Sequence, residues 1–231
     1  MEQQRRDEAE AALLRAAAER VVEQGMRALT LARVGERAGY GRGMVTYRFG
    51  SEQALVERLA RAGQAGFVSG LADLPPGLDR LLRLIDGYIA RLGTMGVLNR
   101  AFLLLWAEAP MSPEPAPVFR ARSADFRADL CEDLAAGIAD GTIRSDAAPE
   151  ETAIAIMGQP RGLALQRFLD PEVVDPERLR RPVTEQWRRA PARSQSRPRP
   201  WTCEEHACNR RRERPCDRTH GATASASWQR P

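Results

Sequence analysis

The chain is predicted to be all-α, an N-terminal three-helix unit built on a helix-turn-helix followed by a larger helical body. Three observations carry that prediction. Apolar residues recur at spacings of three and four from the first helix to about Asp170, without the alternation of a half-buried strand. Residues 29–55, LTLARVGERAGYGRGMVTYRFGSEQAL, hold two short helical segments split at Gly39, with Thr30 and Ser51 placed as N-caps. Proline and glycine breakers divide the remainder into helix-sized pieces. At 231 residues, the chain is long enough to bury a sizeable core as a small domain fused to a larger one.

In order, a first helix is predicted from Asp7 to Gln24, with Leu13, Leu14, Ala17, Val21 and Val22 on one face and Gly25 as its stop. Thr30 caps a short helix whose inner face carries Val34 and Ala38, and Gly39 closes it where a left-handed residue is wanted. The next helix runs from Arg42 to Arg48. Only Val45 is firmly apolar on its inward side, which leaves Arg42, Met44, Thr46, Tyr47 and Arg48 for other faces. Ser51 then caps a connecting helix, with Leu55, Val56, Leu59 and Ala62 inward, loosened by Gly63, Gly66 and Gly70 and ended by Pro75 and Pro76.

The body is predicted to be helical throughout. Leu78, Leu81, Leu82, Ile85, Ile89 and Leu92 form one stripe; Val97, Leu98, Phe102, Leu105 and Trp106 a second; Phe119, Phe126, Leu130, Leu134 and Ile138 a third. Loops fall at Thr94 to Gly96, from Pro110 to Pro117, and at Asp140 and Gly141. Pro149 opens a helix that reaches Leu169. Within it Pro160 removes a backbone donor, at roughly 3 kcal/mol if the helix runs straight on, so a kink or restart is expected there. A last helix runs from Pro176 through Leu179, Val183 and Trp187 to near Arg189, because Pro191 follows. The expected organisation is a helix-turn-helix domain at 1–50, a connecting helix at 51–75, a body at 76–189 and a disordered Arg/Pro-rich tail at 190–231.

Charge sharpens the functional reading. There is no lysine, so all 35 basic residues are arginine. From Trp187 onward eleven arginines face four carboxylates, Glu204, Glu205, Glu213 and Asp217, so the net +4 resides in the tail and the preceding residues are mildly acidic. Against that acidic background, Arg33, Arg37, Arg42 and Arg48 face the single acid Glu36, a local positive patch suited to DNA. Arginine can donate two hydrogen bonds to a guanine edge, a threonine methyl packs on a thymine methyl, and a tyrosine hydroxyl reaches a phosphate. The candidate DNA-binding residues are therefore Thr30, Arg33, Arg42, Gly43, Met44, Thr46, Tyr47 and Arg48.

The joint spacing of Leu13, Leu14, Ala16, Ala17, Val22, Glu23, Gly25, Ala38, Gly39, Gly43, Tyr47, Phe49, Ser51 and Leu55 resembles the TetR family of transcriptional regulators over roughly residues 9 to 60. Thr46, Arg48 and Glu52 depart from it, standing where many members have tyrosine, histidine and a phosphate-binding lysine. WAEA at Trp106, FRADL at Phe126, AGIADGTIR at Ala136 and GLALQRFLDPEVVD at Gly162 resemble more specifically the BetI-type branch. The resemblance implies a double-stranded DNA operator, a small-molecule effector bound in the body, and a homodimer through a four-helix interface from residues of Glu150 to Arg189. Candidate cavity residues are Tyr88, Met95, Phe102, Trp106, Phe119 and Phe126, with Met111 near them and Arg100 and Glu108 as polar anchors.

Other classes find little support. The first 189 residues contain no histidine, one cysteine (Cys131) and no phosphate-cradling glycine loop, so catalysis is not expected, nor a cofactor. In the tail, Cys203, His206, Cys208, Cys216 and His220 lack paired-cysteine spacing and apolar support, and no metal is expected. AFLLLWA is too short to span a bilayer and the charged N-terminus is no signal peptide, which predicts a cytoplasmic protein without membrane association. The alternative left open is a helical ligand-binding or scaffold module without specific DNA binding.

Overall fold

The computed structural model describes residues 1–65 and 67–190. Among these are nine α-helices and no strand: α1 (Glu2–Gln24), α2 (Leu31–Ala38), α3 (Arg42–Phe49), α4 (Glu52–Gln64), α5 (Leu78–Arg91), α6 (Val97–Glu108), α7 (Ala116–Ala139), α8 (Pro149–Leu169) and α9 (Pro176–Arg189). No helix of the described residues is long and apolar enough to cross a membrane. The proposed tail and its Cys203, His206, Cys208, Cys216 and His220 lie outside the described residues, apart from Ala190 at the end of α9.

α1 begins five residues earlier than the apolar periodicity indicates. Its first turns carry no buried side chain and are supported by pairs one turn apart, Gln3 to Asp7 at 2.9 Å and Arg6 to Glu2 at 2.5 Å. Gly25 stops the helix at φ 74° while its N–H still bonds the Val21 carbonyl at 2.8 Å. α1 packs against α2 and α4 and also along α6, so this helix belongs to both the head and the body. Leu13, Ala17, Val21, Val34, Val45, Leu55 and Leu59 are all essentially removed from water and join the body's Leu81, Ile85, Leu105 and Leu134 in one continuous core.

The connecting helix is shorter than expected, ending at Gln64 rather than at the prolines. The reason is tertiary. α4 is pressed against α6 so closely at Gly63 that a Cβ there would stand 2.5 Å from the Leu98 carbonyl oxygen and 2.7 Å from Phe102 Cβ. At the same point Asn99 Nδ2 donates to the Gly63 carbonyl at 2.6 Å, so a side chain occupies the acceptor that a further helical turn would use. Ala65 is then extended, and Val68 turns inward onto α5 at Gly87, where its Cγ1 fills the space of an absent side chain.

α8 runs unbroken through Pro160, so the helix does not restart there. One donor is lost, but Ala153, Ile156, Met157, Pro160, Arg161 and Ala164 all lie buried, and this packing holds the helix on both sides of the proline. α9 likewise runs through Pro182. It is tied to α5 by a bidentate pair, Arg180 to Asp86 with both distances 2.6 Å, and to α8 by the Trp187 indole N–H donating to Gln159 Oε1. α5 is joined to α7 in the same way: Arg80 reaches Asp133 at 2.6 Å and Glu132 at 2.7 Å, and the Gly77 N–H adds a bond to Asp133 at 3.0 Å.

Candidate functional site

The reading head is held by a very tight turn. At Gly35, inside α2, a Cβ would lie 2.8 Å from the Tyr40 carbonyl oxygen and 2.9 Å from Val45 Cγ2, so α2 and α3 can close only over a glycine. The Tyr40 N–H bonds the Gly35 carbonyl at 2.8 Å, and Gly39 between them is left-handed at φ 75°. Gly35 is not among the residues expected at the site from sequence, although a glycine within an eight-residue helical segment is a signal for close backbone approach. Thr30 caps α2 as expected, accepting from the Arg33 N–H at 3.4 Å; Ser51 caps α4 by accepting from Ala54 at 3.1 Å.

α3 buries Val45 and Phe49 and turns the rest outward. Arg42, Gly43, Met44, Thr46 and Tyr47 are exposed, Tyr47 to 91%, and Arg33 of α2 is exposed beside them. A tyrosine so completely in water contributes nothing to the core; it is available to a partner. Two of the four arginines in the expected patch are placed differently. Arg37 turns back to α1, bonding Glu19 at 2.8 Å and Glu23 at 2.6 and 2.7 Å, and these bonds hold its guanidinium above its ordinary range. Arg48 is half-buried with Nη1 3.6 Å from Glu10, a carboxylate that Arg58 also engages. Carboxylates of α1 thus pair with both, two on Arg37 and one shared between Arg48 and Arg58, while Arg33 and Arg42 are exposed with no ion pair among the described residues.

Glu52, the departure that would oppose a phosphate, sits exposed in the first turn of α4. There a negative charge meets the positive end of the helix dipole, a local reason for an acid at that position.

The body encloses a cavity of about 310 Å³ between the end of α4, residues 67–71, α5, α6, α7 and α8. Tyr88, Phe102 and Phe126 line it as expected, while Met95, Trp106 and Phe119 do not. Phe119 is core, tilted against Phe102 with ring centroids 5.9 Å apart; Met95 packs on the core from the α5–α6 loop; Met111 is exposed. Trp106 lies behind the wall, under the guanidinium of Arg161. Arg100 is exposed on the outside, 5.0 Å from the Phe168 ring centre, and Glu108 reaches the head instead of the cavity. Neither is a polar anchor for the cavity.

The polar wall comes from residues that sequence reasoning missed. Asn99 and Arg122 line the cavity while holding the end of α4, Asn99 through the Gly63 carbonyl and Arg122 through Gln64 Oε1 at 2.6 Å. Arg161 lines it too and is only 4% exposed; burial pulls its proton affinity down. It shares its face of α8 with Met157 and Ala164, both buried one turn away. Tyr88 is buried enough that its phenol is pushed well above its ordinary range and stays neutral.

Residues 13–59 match the profile described as bacterial regulatory proteins, tetR family, and residues 77–190 match that of the BetI-type transcriptional repressor C-terminal domain. The chain belongs to the TetR family. Over 126 residues it is 28% identical to the HTH-type transcriptional regulator BetI of Stenotrophomonas maltophilia, an alignment covering 52% of this chain and 63% of that protein. Among solved structures it resembles a transcriptional regulator from Saccharomonospora viridis in complex with choline, with TM-score 0.65, 17% identity, and coverage of 81% of this chain and 100% of the other. It also resembles FadR from Bacillus subtilis in complex with stearoyl-CoA, with TM-score 0.66, 16% identity, and coverage of 78% and 97%. At such identities these two likenesses establish the fold.

Proposed function

We propose that the chain is a sequence-specific DNA-binding transcriptional regulator, a repressor released from a palindromic operator by a small-molecule effector that fills the body cavity. One observation carries it: α3, held by a glycine-tight turn, exposes Arg42, Thr46 and Tyr47 together while burying only Val45 and Phe49. These are groups that base edges and phosphates accept, a guanidinium for a guanine edge, a methyl for thymine and a phenol for a phosphate oxygen. Its place of action is the cytoplasm, with the DNA it reads.

A homodimer through α8 and α9 supports two half-sites. Ile154 is 59% exposed and Leu169 88%, and on the same helix Gly158 and Gly162 have open space where a side chain would stand. This apolar, small-residue strip suits close helix approach by a second copy, with a total interface well above about 1,200 Å². A concentration-independent monomer in sedimentation would exclude it.

The cavity is suited to coupling because Asn99 and Arg122 touch both it and the end of α4, whose other end supports α3. An effector that draws on either side chain loosens the hold on α4 and moves the recognition helices from the spacing of about 34 Å that fits successive major grooves. The choline and stearoyl-CoA complexes of the two structural relatives support a small-molecule role for this cavity. Selection from a random DNA pool tests the reading. Enrichment of a palindrome supports it; a helical ligand-binding module without DNA activity, favoured by the pairing of Arg37 and Arg48 with α1, gives no enrichment.

A further inference from the structure

Arg161 is the most deeply buried charged group in the wall of the cavity, whose lining combines aromatic and aliphatic side chains with Gln64, Asn99, Arg122, Asp125 and Asp129. Its guanidinium carbon lies 4.6 Å from the Trp106 ring centre, 5.8 Å from that of Phe126 and 6.0 Å from that of Phe102. No carboxylate among the described residues forms an ion pair with it. A charge 96% withdrawn from water and left without a counter-ion is costly, and stacking on aromatic faces offsets only part of the cost. The other charged groups of the wall do not relieve it. Arg122 is engaged by Gln64, and Asp125 and Asp129 are exposed at the α7 edge.

The arrangement has a consequence for ligand charge. Aromatic faces converging at a cavity wall are a good receptor for a cation, but here the chain's own guanidinium already occupies them. A second cation would meet that charge at short range in a poorly screened site. An anion instead gains charge-assisted hydrogen bonds from guanidinium edges that stacking leaves free.

We propose that this cavity takes a small amphipathic carboxylate, its anionic group paired with Arg161 and its apolar part lying against Phe67, Leu84 and Phe126. A volume of about 310 Å³ fits a compact aliphatic or aromatic acid. The assignment rests on the reading of the cavity as an effector site, but it is tested by binding to the protein alone, without DNA.

Calorimetry at neutral pH with octanoate, octanol and octyltrimethylammonium separates the charges on one chain length. Octanoate is expected to bind at least about tenfold more tightly than the other two, the scale of one charge-assisted hydrogen bond in a buried site. Arg161→Met and Arg161→Gln, each checked for helical content by circular dichroism, are expected to abolish that advantage. Equal binding of the three probes to the wild type, a preference for the cation, or an octanoate advantage that survives in a folded variant overturns the proposal. The wild-type comparison stands even if both variants misfold. Failure here leaves DNA selection untouched, and absence of DNA enrichment leaves these binding curves untouched.

Discussion

Glu108, in the last turn of α6, accepts a hydrogen bond from the backbone N–H of Met26 at 3.0 Å. Met26 begins the turn after α1, next to Gly25, whose missing Cβ would stand 3.1 Å from the same carboxylate. This bond adds to the packing of α1 along α6 and to the Gly63 crossing of α4 in holding the head on the body. Glu108→Ala leaves the Met26 donor without its partner and is expected to lower stability by about 1 kcal/mol, while Glu108→Gln, which keeps an acceptor, costs less. Chemical denaturation of the two variants checks the order.

Gly35→Ala should be more damaging than an ordinary glycine-to-alanine change in a helix, which is normally stabilising. The new methyl meets a backbone carbonyl and a core valine, so a loss of about 1 to 3 kcal/mol and a splayed α3 are expected. Specific DNA binding should fall further than stability does, as seen by titrating labelled DNA below the unfolding transition.

The head was largely legible in the sequence because its signals are local: Thr30 and Ser51 as caps, Gly39 as a left-handed stop, Val45 as the inward residue of α3. What the sequence hid depends on how helices approach one another. The end of α4 is decided by Asn99 and by backbone contact at Gly63, and the fates of Arg37 and Arg48 by carboxylates on α1 that are many residues away. Aromatic residues in the body marked the neighbourhood of the cavity without separating Tyr88, Phe102 and Phe126, which line it, from Phe119 and Trp106, which sit behind. Arg161 was hidden for another reason: arginine in a helix defaults to solvent, and only its register with Met157 and Ala164 placed it inward.

Acid should weaken the α5–α9 contact. The Arg180 guanidinium, bonded to Asp86, holds that carboxyl below its ordinary range, with the nearby charge of Arg83 helping. A group whose folded value is depressed contributes stability above its unfolded value, and that contribution is lost as pH falls through the folded one. Asp86→Asn should therefore be less stable than wild type at neutral pH, with the difference shrinking as pH falls below the ordinary carboxylate range. Thermal midpoints measured across that range show whether the two curves converge.

Glu52→Lys should tighten DNA binding without changing which sequence is preferred. The side chain lies at the exposed start of α4, so the change replaces repulsion of a phosphate by attraction. A steeper salt dependence by about one unit per subunit, with an unaltered preferred site, is the expected result.

The most direct test of the central claim is the affinity of wild type and Arg42→Ala for the DNA fragment recovered by selection, measured by fluorescence anisotropy at moderate salt. Arg42 is exposed in the first turn of α3 with no ion pair among the described residues, so its loss should leave the fold intact. The account predicts a loss of about 1 to 3 kcal/mol and relaxed preference at one base position in each half-site. Unchanged affinity and preference in a folded Arg42→Ala protein would contradict the assignment of α3 as the recognition helix.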